Sequence, residues 1–114
     1  MITIEKLKTY GANTEEGLGR CFGNEELYLR LVAMVPSQAE FTKLNEAIAQ
    51  GDLKAGFEAA HALKGALGNL SLTPLCDKVI EITELLRMGA NTDYSGILGD
   101  IEALRASLEA LCGE

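Results

Sequence analysis

Apolar residues recur along this chain at intervals of three and four, the spacing that turns one face of a helix toward a core. Leu75, Val79, Ile82 and Leu86 make one such face. Ile97, Ile101, Leu104, Leu108 and Leu111 make another, with a seven-residue rhythm suited to small crossing angles. Phe41, Leu44 and Ile48 mark a third face, and Leu53, Phe57, Ala60, Leu63 and Leu67 a fourth. Upstream, Leu27, Leu31 and Met34 are expected to share the inner face of a shorter helix. Pro36, which lacks a donor and restricts its predecessor, should stop or bend that helix near Val35.

Polar residues punctuate these stretches. Asn13 with Glu16 three residues later predicts a short helix running to about Phe22, and Asn24 caps the next. Ser37-Gln-Ala-Glu40 reads as a capping box for a third helix that runs to Gly51, where Asp52 caps the fourth at once. A link this short forces those two helices antiparallel. The fourth helix runs from about Leu53 to Leu70. Thr73-Pro74 supplies a cap and a first-turn proline for the fifth, Gly89 lies past its end, and the sixth starts near Asp93. Residues 1–12 are the least regular, with Ile2, Ile4 and Leu7 against the bundle and a turn at Gly11. The fold expected is all-α: an up-down antiparallel four-helix bundle with its core over about residues 37–112, and two additional N-terminal helices covering one end. The chain should form one domain, 1–114, long enough to bury a core without staples.

Composition narrows the function. Hydrophobic residues reach 47% but aromatic ones only 5%, which favours an aliphatic helical core over a β-sandwich. A net charge of -7 argues against nucleic acid, whose phosphates demand a basic surface, and against an anionic membrane. No run of eighteen apolar residues exists and the start lacks the apolar core of a signal peptide, so a cytoplasmic protein is expected. Cys21, Cys76 and Cys112 form no Cys-x-x-Cys pair and lie on or beside apolar stripes, as reduced, buried thiols do. They have no ligand spacing with histidine, so no metal site is expected. Gly65-Ala-Leu-Gly68 follows no predicted strand and is neither a P-loop nor a dinucleotide fingerprint. No cofactor and no ATP site are therefore expected.

The stretch from Ala59 to Cys76 spends residues that helix stability would not choose. It holds the one histidine, His61, then Lys64, Gly65 and Gly68, all within the fourth helix. Each interior glycine costs about 1 kcal/mol relative to alanine. By helical geometry Gly65 lies one turn beyond His61, rotated by about 40°, and Lys64 lies about 60° to the other side. The imidazole is thus flanked by a cation and by a patch with no side chain. Imidazole is nucleophilic near neutrality, and catalysis of phosphoryl transfer is mostly positioning and electrostatics. His61 suits a phosphoryl acceptor, with Lys64 offsetting the charge and Gly65 leaving room for a partner's active site. Glu58, three residues before His61, could orient the ring or simply be solvated.

His61-Ala-Leu-Lys64-Gly65, with Gly68 and Leu75 seven and fourteen residues after the histidine, resembles the signature of histidine-containing phosphotransfer (HPt) domains of bacterial multistep phosphorelays. Gly23-Asn-Glu-Glu-Leu-Tyr-Leu-Arg-Leu, Gly51-Asp52 and the total length extend the likeness over nearly the whole chain. The resemblance implies that His61 takes a phosphoryl group on its outer nitrogen from a receiver-domain aspartate and passes it to another receiver. Lys64 then supports the phosphate and Gly65 gives clearance, while Glu58, Ala62, Ala66 and Gly68 belong to the receiver-facing surface. Ser71 stands where the family often has glycine, a departure confined to the helix end. Response-regulator receivers and a hybrid sensor histidine kinase are the implied partners, with Mg²⁺ held by the receiver alone; a single compact bundle makes a monomer the default expectation. Two other readings stay open at this point: a helical adaptor that sequesters a receiver without being phosphorylated, and a structural bundle with an incidental histidine.

Overall fold

The computed structural model describes residues 1–113, which are helical almost throughout. In chain order the elements are α1 (Ile4–Tyr10), α2 (Thr14–Arg20), α3 (Glu25–Ala33), a 3-10 turn (Val35–Ser37), α4 (Ala39–Ala49), α5 (Leu53–Asn69), α6 (Thr73–Arg87) and α7 (Ser95–Gly113). Three α-helices, not two, precede the 3-10 turn. Residues 1–12 contain α1, which Thr3 caps by accepting from the Lys6 N–H.

Several caps follow from side-chain chemistry as expected. Asn13, Asn24 and Asp52 each accept a hydrogen bond from the backbone three residues on, satisfying donors that a helix start leaves unpaired. Two others differ. Ser37 is not an N-cap: its hydroxyl donates back to the Met34 carbonyl within the 3-10 turn, and Gln38 opens α4 with no side-chain bond. Thr73 lies inside the first turn of α6, its hydroxyl donating to the Ser71 carbonyl, while Leu72 takes the cap position. At both places the chain arrives already curled by a preceding turn, so the hydroxyl meets a carbonyl before it can reach an open N–H.

The core is aliphatic and continuous. Leu63 and Leu67 of α5 and Leu75, Val79 and Ile82 of α6 are wholly buried, and Phe41, Leu44 and Ala47 fill the α4 side. Truncating a leucine such as Leu63 to alanine would cost about 2–5 kcal/mol. On α7 only Ile101 and Leu108 are buried, with Ile97, Leu104 and Leu111 half-buried. The α3 stripe is a correction. Tyr28 and Val32 point inward, whereas Leu31 and Met34 are exposed. Tyr28 wins the inner face because its hydroxyl reaches the Leu70 carbonyl at 2.9 Å and its ring covers Gly17. A Cβ on Gly17 would sit 2.5 Å from that ring. Phe22, expected at the end of α2, lies beyond it and is exposed.

α5 packs between α4 and α6. Gly56 admits both neighbours, since a Cβ there would lie 3.3 Å from Ile48 of α4 and 3.5 Å from Leu86 of α6. Near the other end of α5, Gly68 lies opposite Cys76, at the start of α6. With Gly56 opposite Leu86, this makes α5 and α6 antiparallel.

The C-terminus of α5 closes on Ser71, whose φ of 54° is left-handed. The Ser71 and Leu72 N–H groups donate to the Gly68 and Leu67 carbonyls, a Schellman ending in which glycine is the usual residue. Here Ser71 Oγ donates to Glu16 Oε1 at 2.7 Å and the Ser71 carbonyl accepts from Asn13 N–H, which tie α2 to the end of α5 and offset the left-handed backbone.

Candidate functional site

His61 projects from the outer face of α5, exposed to solvent, because Ala59, Ala60 and Leu63 take the inner face. Neither ring nitrogen hydrogen-bonds to another described residue. The ring instead lies on Phe57, one turn earlier, with centroids 5.7 Å apart and planes inclined by 19°. The Arg87 guanidinium of α6 lies over the same Phe57 ring at 5.8 Å. Glu58 makes no hydrogen bond to the imidazole. It lines an open groove between α4 and α5 with Glu40, Lys43, Glu46, Asp52 and Ala62.

Charge is therefore divided across His61. The α4 flank carries Glu40, Glu46, Asp52 and Glu58 with one cation, Lys43, and on the other side stand Lys64 and Arg87, the latter paired with Glu84. Lys64 is half-buried and in no ion pair among the described residues, whereas Lys78 is engaged by Glu81 and Asp100. Its ammonium is thus uncommitted, one turn from an accessible imidazole.

The glycines separate by role. Gly56 is required by helix packing. A Cβ on Gly65 would meet nothing within 4 Å, and one on Gly68 would meet only Cys76 Sγ at 4.0 Å. Neither absence of a side chain serves packing within this chain. Ala62 is exposed and Ala66 half-buried, so Ala62, Gly65, Ala66 and Gly68 leave a low patch on α5 beside and beyond His61.

Two features of the site were not singled out in the sequence. Phe57 belongs to the apolar stripe by spacing, yet its ring is the platform for His61. Ile80 of α6, 40% exposed, lies on the flank shared by Cys76 and Arg87, four and seven residues away. Cys76 approaches Gly68 and Arg87 covers Phe57, so Ile80 falls between them, beside the His61–Lys64 turn. Its place off the buried stripe of Leu75, Val79, Ile82 and Leu86 was the available signal.

All three cysteines are free; Cys21 is buried, but Cys76 and Cys112 are only half-buried. Burial, helped by Asp77 and opposed by Lys64, pushes the Cys76 thiol up, away from thiolate chemistry. No group of His, Cys, Asp and Glu among the described residues is arranged to hold a metal ion, and no described helix is long and apolar enough to cross a membrane.

Among the described residues, the helical bundle presents one exposed imidazole without a hydrogen-bond partner, beside an ammonium in no ion pair and a bare patch of helix. The family model of the Hpt domain matches residues 33–114, and the chain belongs to that family. It is thus a phosphotransfer carrier of two-component signalling, of the kind that meets receiver domains in phosphorelays. No match was found among curated proteins or among solved structures.

Proposed function

We propose that His61 is the phosphoacceptor of a two-component relay, loaded by one receiver aspartate and discharged to another. The lone pair of the outer nitrogen, Nε2, attacks the phosphorus of the aspartyl phosphate. The N–P bond forms as the P–O bond breaks, and the carboxylate leaves as the anion while the Nδ1 proton stays in place. Discharge reverses this on a second receiver. Lys64 offsets the charge on the equatorial oxygens, which is where such a transition state carries it. Gly65, with Ala62, Ala66 and Gly68, lets the receiver close over the ring, and Glu58 contributes from the α4 side. Mg²⁺ and the acidic pocket come from the receiver, so the chain carries a phosphoryl group stoichiometrically without an ATP site. In this reading residues 1–114 act as one cytoplasmic, monomeric domain whose antiparallel helices α4–α7 hold the site, with a hybrid sensor kinase upstream.

The observation that carries the reading is the exposed His61 beside an uncommitted Lys64 and a Gly65 that no internal packing requires. The test is incubation with a receiver domain charged by acetyl phosphate and Mg²⁺, followed by intact mass and ³¹P NMR. One acid-labile, alkali-stable phosphoramidate is expected, absent in His61→Ala and formed more slowly in Lys64→Gln. Binding to receivers without any label would sink the carrier reading and leave the adaptor.

A further inference from the structure

We propose that Phe57 is the positioning residue for the His61 imidazole, an inference that rests on the carrier reading above. An exposed histidine on a helix ordinarily samples several rotamers. In-line transfer needs one of them, with the outer nitrogen aimed along the bond to be broken. A hydrogen bond to the inner nitrogen is the usual way to hold such a ring, and none exists here among the described residues. The restraint is instead the stack on Phe57, 5.7 Å between centroids and 19° between planes.

Phe57 can serve as a platform because it is itself held. It is half-buried and packs against the core from the edge of α5. From α6 the Arg87 guanidinium lies over its ring at 5.8 Å, and Arg87 is steadied by Glu84 at 3.3 Å. The imidazole therefore rests on a ring fixed by two helices, and its orientation is set without occupying either nitrogen. Both remain available, one to attack and one to keep its proton.

Phe57→Leu keeps apolar bulk and removes the π face, and Phe57→Tyr keeps both. Single-turnover transfer at saturating receiver is measured for a receiver that loads the wild-type protein, alongside ¹H NMR of the His61 ring protons. In Phe57→Leu the ring-current shift of those protons disappears and the transfer rate constant falls about three- to tenfold, the Boltzmann weight of one aromatic stack. Receiver affinity stays within about twofold, and Phe57→Tyr matches wild type by the same margin. Arg87→Met, which leaves the core untouched, gives a smaller loss of the same kind. Wild-type transfer in Phe57→Leu despite loss of the ring-current shift would overturn the inference, as would a loss confined to affinity. Failure of every receiver to load the wild-type protein would overturn the carrier reading itself.

Discussion

Replacing Gly65 with alanine should make this protein more stable and less able to transfer phosphate. Gly65 is helical and exposed, and a Cβ at that position meets nothing within 4 Å. The substitution therefore recovers the full propensity difference with no steric charge against it, about 1 kcal/mol. For a chain of this size that raises Tm by about 4 °C. The partner's surface gains the opposite effect. Where a receiver must close to van der Waals contact, an added methyl costs about 1–3 kcal/mol, as overpacking does in a core. That corresponds to a loss of about fivefold to more than a hundredfold in transfer. Gly65→Gln extends the obstruction while keeping good helix propensity. Far-UV CD melts and urea titrations read the first effect, and single-turnover transfer from a phosphorylated receiver reads the second. A fall in stability for Gly65→Ala would mean that the glycine serves the fold. Undiminished transfer in both variants would mean that no surface closes over this turn, and the clearance argument would fail.

Ile80→Glu should weaken receiver binding by about tenfold while leaving the melting temperature nearly unchanged, since Ile80 is exposed beside the site; unchanged affinity by titration calorimetry would remove Ile80 from the interface. At the end of α5, Ser71→Gly and Ser71→Ala both lose the bond to Glu16, but only alanine keeps the left-handed cost, so the alanine variant should be the less stable of the two by about 1 kcal/mol in urea titrations. Equal stabilities would refute that account. Burial first, then the nearby Cys21, pushes the Tyr28 phenol up to about 12. Because the unfolded phenol ionises near pH 10, the unfolded state holds fewer protons above that value and stability should fall as pH rises from about 10 toward 12. Tyr28→Phe should flatten this fall in CD-monitored urea midpoints, and an unaltered pH profile would count against it.

Much of the site was legible in one dimension because its parts lie on one helix. His61, Lys64 and Gly65 fall within five residues, and helical geometry alone places the cation and the bare patch on either side of the ring. Gly56 on the packed side and Gly65 on the open side are distinguishable from their positions around α5, and the contacts that separate them come from the neighbouring helices. One faces Ile48 and Leu86 and the other faces solvent, a difference that depends on where neighbouring helices lie. The short helix α1 was missed because residues 1–12 carry little periodic signal and its start depends on a single threonine cap.

Sequence alone determined the helical period, the starts of α2, α3 and α5, the buried stripe of α6 and the grouping of His61, Lys64 and Gly65 on one stretch of helix. These follow from local geometry and from caps that bridge three residues. Tertiary structure decided which face of α3 turns inward, because Tyr28 and not Leu27 can both cover Gly17 and reach the Leu70 carbonyl. It also decided what supports His61. The register of antiparallel α5 and α6 sets Arg87 over Phe57 and Cys76 opposite Gly68, with Ile80 between those two contacts, and no spacing along a single helix encodes the register between two.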